Sequence, residues 1–460
     1  MGFIEGEWKV GDMFCGAGGT STGAMNVPGV KVSWCINHDS MAIKSHKENH
    51  PDCDHYNEDI VDMDISILSK VHILWASLEC THFSNAKGGQ SRDADSRMLA
   101  EQMYRYAEHC QPAYIMIENV REFLTWGPLT QKKDKKGDLV YKTDGTPHMI
   151  PDTDPNKLGS YYRQWVCKLK SMGYVNYSYK LLNSADFGAY TKRIRYFGVF
   201  SKSGYPIRFP SQTHTERLAV GYSQWKPVRE CLDFRDRGRS IFGRKRKLSE
   251  NTLKRIFAGI QKFGPEGRTN SFLAKYYGNG ENLESVEGPA GTITTKDRFA
   301  FISKYFSGHP SSKNKSIDSP LGTITCIDHH AKVEFLANPQ QFGSVGSKLD
   351  EPHPTIVASK RYTSLVSESG DPVSLGHDDS EMERKIKLYM IKHGITDILM
   401  RMLKVDELLK IQGFPPGYKL LGTQEKQKKY IGNSVVPAVA EKLINANVNQ
   451  EFFKALRKAS

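Results

Sequence analysis

The sequence predicts an α/β protein built on a doubly wound, mostly parallel sheet, with a smaller lobe inserted late in the chain. Three observations carry that prediction. Strand-like and helix-like stretches alternate through the first part of the chain, as they do where crossover helices join parallel strands. A glycine-rich turn, Asp12–Gly19, follows the first strand-like run, and in such sheets ligands sit at the carboxyl ends of the strands. Beyond about residue 205 the alternation stops, and amphipathic helical spacing returns only near residue 396.

Taken in order, strands are expected at 9–14, 30–36, 71–77 and 114–118, a helix at 98–110, another at 161–172, and a further strand at 175–182. The polar stretch 127–159 carries two glycine turn signals, Gly137 and Gly145, and few core residues; it reads as an inserted hairpin or loop. Two closing helices are expected at 405–411 and 435–448. The chain, at 460 residues, exceeds one ordinary domain. The expected division is 1–205, a lobe at 206–395, and 396–460 returning to the first domain. Within the lobe three segments are similar: E-G-P-A-G-T-I-T at 287–294, D-S-P-L-G-T-I-T at 318–325 and D-E-P-H-P-T-I-V at 350–357. They read either as hairpins presenting basic and aromatic side chains to a long ligand or as structural turns.

Composition narrows the function classes. Hydrophobic residues at 38% and charged residues at 25%, with no long apolar run, exclude an integral membrane protein. A net charge of +13 favours a polyanionic partner, because neutralising phosphates releases condensed counterions. The eight cysteines form no C-x-x-C pair, which argues against a zinc ribbon, so no metal is expected. The N-terminus lacks a signal peptide's apolar core, and Gly6 stands where a myristoylation signal has Ser or Thr, so a cytoplasmic location is expected.

Chemistry-bearing residues collect at the expected strand ends. Glycines in D-M-F-C-G-A-G-G let backbone approach a ligand closely, although a tight structural turn would need them equally. Asn37–Asp39 and Glu58–Ile60 suit ribose hydroxyls and an adenine amino group, or are solvated loop residues. Cys80, in S-L-E-C-T-H-F-S, is either a small buried hydrophobe or, given its place before a glycine-rich loop, a nucleophile. Glu118 ends an otherwise apolar strand, where a carboxyl is costly to bury unless paired and could hydrogen-bond a ring nitrogen.

Together these residues resemble the DNA (cytosine-5)-methyltransferase family. The turn Asp12–Gly19 is similar to its S-adenosylmethionine loop, E-C-T-H-F-S to its catalytic loop, and E-N-V at 118–120 to its base-gripping motif. N-S-A-D-F-G-A-Y-T-K-R-I-R at 183–195, L-K-I-Q-G-F-P at 409–415 and I-G-N-S-V-V-P at 431–437 complete six motifs in the family's order. The resemblance implies the class I S-adenosylmethionine methyltransferase fold. It implies S-adenosylmethionine as methyl donor, leaving S-adenosylhomocysteine, and a flipped cytosine in a specific duplex DNA sequence as substrate. It assigns Cys80 as nucleophile, Glu118 as the group holding N3 protonated, Arg195 to neutralise O2, and Arg193 to support the loop or contact phosphate. Cofactor contacts fall to Phe14, Gly16, Gly18, Asn37, His38, Asp59, Ile60, Asn433 and Val435. A cognate restriction endonuclease is an implied partner, and a monomer is expected.

The chain departs from the family pattern at several positions. Glu79 and Thr81 replace Pro and Gln around the nucleophile, Tyr190–Thr191 replaces Pro-Gln, Asn37 replaces an acid and His38 an apolar neighbour. A carboxylate facing Cys80 would raise its pKa, so Glu79 is expected to face away. DNA contacts are expected from Ser84, from the basic run Arg235, Arg237, Arg239, Arg244, Lys245, Arg246 and Lys247, and from Lys296, Arg298, His329, His330, Lys360 and Arg361 in the repeats. The charge run reads equally as a solvated linker. An RNA cytosine-5 methyltransferase and a catalytically silent DNA-binding protein are the competing readings.

Overall fold

The computed structural model describes residues 7–78, 99–141, 145–262, 271–275, 283–293, 299–306, 336–337, 364–365, 373–393 and 395–448. The chain divides into two compact units, Met1–Leu232 with Gly288–Asp297 and Lys404–Ser460, and Asp233–Glu287 with Arg298–Leu403. The breaks fall at 232/233 and 403/404 rather than near 205 and 395. The sequence pattern also assigned 287–294 to the lobe, whereas 288–297 belongs with the first unit.

The first unit is organised by a seven-stranded sheet. Its strands are β1 (Trp8–Met13), β2 (Val30–Ile36), β3 (Asp54–Tyr56), β4 (Ile73–Ser77), β5 (Tyr114–Asn119), β8 (Asn176–Asn183) and β10 (Ile194–Ser201), in the order β3-β2-β1-β4-β5-β10-β8. Pairing is parallel from β3 to β5, and β10 is antiparallel to both neighbours. Because both faces of such a sheet are covered, its central strands read as continuous apolar runs. Ile73 and Trp75 of β4 face one core with Val10 and Val32; Leu74 and Ala76 face the other with Trp34 and Ile117.

Helices supply the covers. In α3 (Met103–Cys110) the buried residues are Met103, Tyr106, Ala107 and Cys110; in α4 (Ser160–Ser171) they are Tyr162, Trp165, Val166 and Leu169. Both sets follow the i, i+3, i+4, i+7 spacing of an amphipathic helix laid on a sheet. On the other face lie α1 (Gly19–Met25), α2 (Ser40–Asn49) and, from the far end of the chain, α9 (Pro437–Val448). The sequence of α1, G-T-S-T-G-A-M, is a poor helix former, so packing must hold it. A Cβ on Gly23 would run into the Pro437 carbonyl and reach Ala440 Cβ and Glu441 N at 2.9 Å. Gly23→Ala is therefore expected to cost about 1–3 kcal/mol, read as a lower denaturation midpoint; an unchanged midpoint would show that this close packing does not matter.

Between β5 and α4 the strands β6 (Leu129–Gln131) and β7 (Met149–Pro151) form a small antiparallel hairpin. Further on, β9 (Thr191–Lys192) pairs with β16 (Ala290–Gly291), and β11 (His214–Thr215) with β12 (Ser223–Gln224). The closing segment adds α7 (Val405–Gln412) and α8 (Gln424–Asn433) ahead of α9.

The second unit has an antiparallel sheet ordered β13 (Arg239–Ser240), β20 (Ile395–Met402), β17 (Phe299–Phe306), β14 (Ser271–Lys275) and β15 (Leu283–Ser285). Against it pack α5 (Glu250–Lys262) and α6 (Glu381–Lys392), through Ile256, Ile260, Ile386 and Met390. A short pair, β18 (Leu336–Ala337) with β19 (Ser364–Leu365), completes its described strands. Among the described residues no helix is long and apolar enough to cross a membrane.

Candidate active site

Strand order reverses between β1 and β4, the position at which doubly wound sheets take ligands. At the carboxyl end of β1 the chain enters a turn with three residues in left-handed conformations: Phe14 (φ 58°), Gly16 (φ 53°) and Gly18 (φ 102°). Phe14 is unusual in bearing this strain without being glycine. Gly16 has open space where a Cβ would stand, whereas Gly18 is packed beneath the Tyr418 hydroxyl. That hydroxyl donates to the Ala17 carbonyl and lies 3.2 Å from His50 Nε2. Below the turn, Asp12 is fully buried; Ser21 Oγ donates to its Oδ2 at 2.7 Å, and Oδ1 has no partner among the described residues. Burial pushes the Asp12 carboxyl up to about 7 against the opposing Ser21 hydrogen bonds.

The next strand ends adjoin this turn. Asn57 Nδ2 donates to the carbonyls of Asn37 and His38, each at 3.0 Å, tying the exits of β2 and β3 together. Asn37 is buried, and its Oδ1 accepts from Asp39 N at 2.9 Å, an Asx turn leading into α2. His38 is exposed. Asp59 Oδ1 accepts from Val61 N at 2.9 Å, and Ile60 is buried with its carbonyl accepting from Tyr106 Oη at 3.0 Å.

From the other end of the chain, Val435 is buried and its carbonyl lies against Gly19, where a Cβ would strike it; Asn433 is exposed. Gln412 Nε2 donates to Ser434 O at 2.8 Å, and Tyr430 Oη donates to Asp39 Oδ1 at 3.0 Å. The closing helices thus meet the β1 turn and the start of α2. Asn57, Tyr418, Tyr430 and Gln412 were not singled out from the sequence. Each acts through a partner that no local spacing reveals.

Glu118 sits at the end of β5, opposite Ser77 of β4 and Phe197 of β10. It is only 4% exposed, and Arg195 Nε lies 3.5 Å from its Oε1. Burial raises the carboxyl above its ordinary range, with Arg193 and Arg195 pulling the other way. A carboxyl whose proton is held more tightly than usual can, when protonated, donate to a ring nitrogen while a neighbouring cation faces developing negative charge.

Arg193, by contrast, is buried. Its Nη1 donates to Gly432 O at 3.0 Å and Ile293 O at 3.3 Å. A side chain so enclosed cannot reach a phosphate; it clamps the 183–195 motif to the 431–437 motif and to the first repeat. That repeat docks further through Thr191 Oγ1 to Gly291 O and Thr292 Oγ1 to Lys192 O, both 2.9 Å.

In the basic run, Arg244 is drawn inward, its guanidinium donating to the carbonyls of Ser240, Arg239 and Met400, so it holds β13 to β20 rather than facing a ligand. Lys247 donates to Asp378 O at 2.9 Å, and Arg235 lies 3.5 Å from Asp233. Arg237, Arg239, Lys245 and Arg246 are exposed. Cys80, Glu79, Ser84, Lys296, Arg298, His329, His330, Lys360 and Arg361 lie outside the described residues, as do the second and third repeats.

The sequence model of the family described as C-5 cytosine-specific DNA methylase matches residues 8–134 and 154–449. The stretch it skips spans β7 and the tip of the hairpin. Type II methyltransferase M.HgiBI of Herpetosiphon aurantiacus is 24% identical over 458 residues, covering 94% of this chain and 95% of that protein. Type II methyltransferase M.HgiCII of the same organism is 23% identical, covering 97% and 98%. The crystal structure of S. pombe Dnmt2 methyltransferase superposes with a TM-score of 0.48 at 13% identity, covering 97% of this chain and 99% of that one.

Proposed function

We propose, from the premise that the chain belongs to the C-5 cytosine-specific DNA methylase family and is a DNA cytosine methyltransferase, that it methylates C5 of a flipped cytosine in one specific duplex sequence through Cys80. Glu118 is the observation that carries this reading. It is a buried carboxyl with a raised pKa, paired to Arg195, on the strand beside β4, and Cys80 follows the end of β4 by three positions. The methyl donor of the family is S-adenosylmethionine.

The residues present fit that cofactor. The turn at Phe14–Gly18 is open at Gly16, the ends of β2 and β3 adjoin it, and Val435 packs against Gly19. Phe14, Gly16, Gly18, Asn37, His38, Asp59, Ile60, Asn433 and Val435 would hold it. When bound, it supplies an electrophilic methyl group.

The chain's own residues do the rest. The Cys80 thiolate adds to C6, which breaks the ring's aromaticity and makes C5 nucleophilic. Glu118 holds the proton at N3 as charge gathers there, and Arg195 faces O2. Once C5 carries the methyl group, a base takes the C5 proton, and the electron pair left behind expels the Cys80 thiolate and restores the ring. A stacked base is out of reach, so flipping costs a few kcal/mol that binding to the phosphates offsets.

Lys245 and Arg246 of the second unit are candidates for phosphate binding. Replacing both by Ala is expected to weaken duplex binding and flatten the salt dependence by about 0.9 in log–log slope for each phosphate no longer neutralised; an unchanged slope would remove them from the interface. The relatives' designation as Type II methyltransferases supports a protective role alongside a cognate endonuclease in the cytoplasm. Bisulfite sequencing of DNA from cells expressing the chain tests the function: protected cytosines should fall within one short motif, and full conversion everywhere would refute it.

A further inference from the structure

A second cluster of reactive side chains lies beneath the cofactor turn, on the face covered by α1 and α2. Cys35 of β2 pairs across the strands with His55 of β3. Cys53, in the bend just before β3, is buried in the same core as Cys35. His46 comes from the last turn of α2. One ligating atom from each of the four lies within 4.8 Å of all the others.

The individual distances suit a metal. Cys35 Sγ is 3.6 Å from His46 Nδ1, and a tetrahedral zinc with ordinary bond lengths sets sulfur and nitrogen ligands about 3.6 Å apart. His46 Nδ1 is 2.9 Å from His55 Nε2, so a small opening would admit an ion between them. Cys35, His46 and Cys53 are buried, while His55 is partly exposed and offers a way in.

The proton on His46 is placed by its other nitrogen. With Asp12 ionised, Ser21 Oγ gives its own proton to Asp12 Oδ2 and, at 2.9 Å from His46 Nε2, accepts from that nitrogen. In that state Nε2 carries the hydrogen, and the Nδ1 lone pair faces Cys35 and His55. A histidine whose outer nitrogen donates into a chain ending on a carboxylate is how proteins orient metal-binding imidazoles.

We propose that Cys35, His46, Cys53 and His55 bind one divalent transition-metal ion of the zinc type in a closed tetrahedral site with two sulfur and two nitrogen ligands. Two sulfurs and two imidazoles suit zinc and exclude magnesium or calcium, which take oxygen ligands. Each thiol gives up its proton to the solvent as its sulfur binds. The role is structural: the ion fastens the three-residue edge strand β3 to β2 and α2 and, through His46, Ser21 and Asp12, braces the turn that receives the cofactor. The spacing, C-x10-H-x6-C-x-H, contains no C-x-x-C, so the expectation of no metal followed from a pattern that this site does not use.

The full-length chain, stripped with a chelator under reducing conditions, is titrated with cobalt(II) alone. The expected result is one equivalent bound, with the ligand-field bands of a tetrahedral ion, thiolate-to-cobalt charge transfer, and bleaching on addition of zinc. Cys53→Ala and His55→Ala, both near the sheet edge, should weaken cobalt binding by more than the about 10–100-fold that outer-shell changes cost, and Ser21→Ala by about that amount. Circular dichroism checks that each variant is folded. A folded wild-type chain that takes up cobalt without thiolate charge transfer, or not at all, overturns the proposal; so do folded Cys53→Ala and His55→Ala proteins that bind cobalt as the wild type does.

Discussion

Cys80→Ser is expected to lower methyl transfer to duplex DNA by about 10⁴-fold or more, the scale on which removing a covalent nucleophile acts, with DNA binding retained. A serine hydroxyl is far harder to ionise than a thiol whose ordinary pKa is about 8.5, so the addition to C6 that activates C5 no longer occurs. Incorporation of labelled methyl groups into duplex DNA, beside a binding isotherm, measures both quantities. A variant that methylates at the wild-type rate would remove Cys80 from the chemistry.

Glu118→Gln is expected to lower kcat/KM by about 10²–10⁴-fold, the range of a positioned acid or base. The amide keeps the shape but loses the proton that the carboxyl holds, and it leaves Arg195 without the charge 3.5 Å away. The pH dependence carries a sign. Burial raises the Glu118 pKa in the folded protein, so the protonated, donating form persists to higher pH than in an exposed glutamate. It is lost as pH rises through that raised value. The wild-type kcat/KM profile should therefore show an alkaline fall assignable to Glu118, and the glutamine variant should lack it. If the two profiles have the same shape, Glu118 does not hold the proton.

Much of the first sheet was legible because its strands are apolar runs closed by polar residues. I-L-W-A-S and Y-I-M-I-E-N face two cores at once, as central strands of a sheet covered on both faces do. Helices α3 and α4 were legible through their apolar spacing. Helix α2 was not: it buries Ala42, Ile43, Ser45 and His46, a face without an apolar stripe, and β3 is too short to show a period. The placement of the first repeat was equally hidden, since A-G pairs with T-K about a hundred residues earlier. A turn beside a proline looks the same whether it joins a lobe or the sheet.

Within the site, the residues legible from sequence were those at strand ends, Glu118 and Phe14–Gly18 among them. For Arg193 the motif leaves two roles open, supporting the loop or contacting phosphate, and spacing alone does not choose between them. Two positions along a strand share a face, but Arg193 lies in the turn before β10, and there it is enclosed by the Gly432 and Ile293 carbonyls. Arg244 failed similarly: in a run of cations, spacing cannot tell the one whose guanidinium satisfies backbone carbonyls from those facing water.

The central claim is a covalent bond between Cys80 and C6 of the target base. A duplex carrying 5-fluorocytosine at the target, incubated with the chain and S-adenosylmethionine, tests it most directly, because fluorine cannot depart as the C5 proton does and the adduct persists. The account predicts a denaturant-resistant protein–DNA complex whose cross-linked peptide contains Cys80 and which Cys80→Ser does not form. An active wild-type protein that yields no such complex, or one cross-linked through another residue, would contradict it.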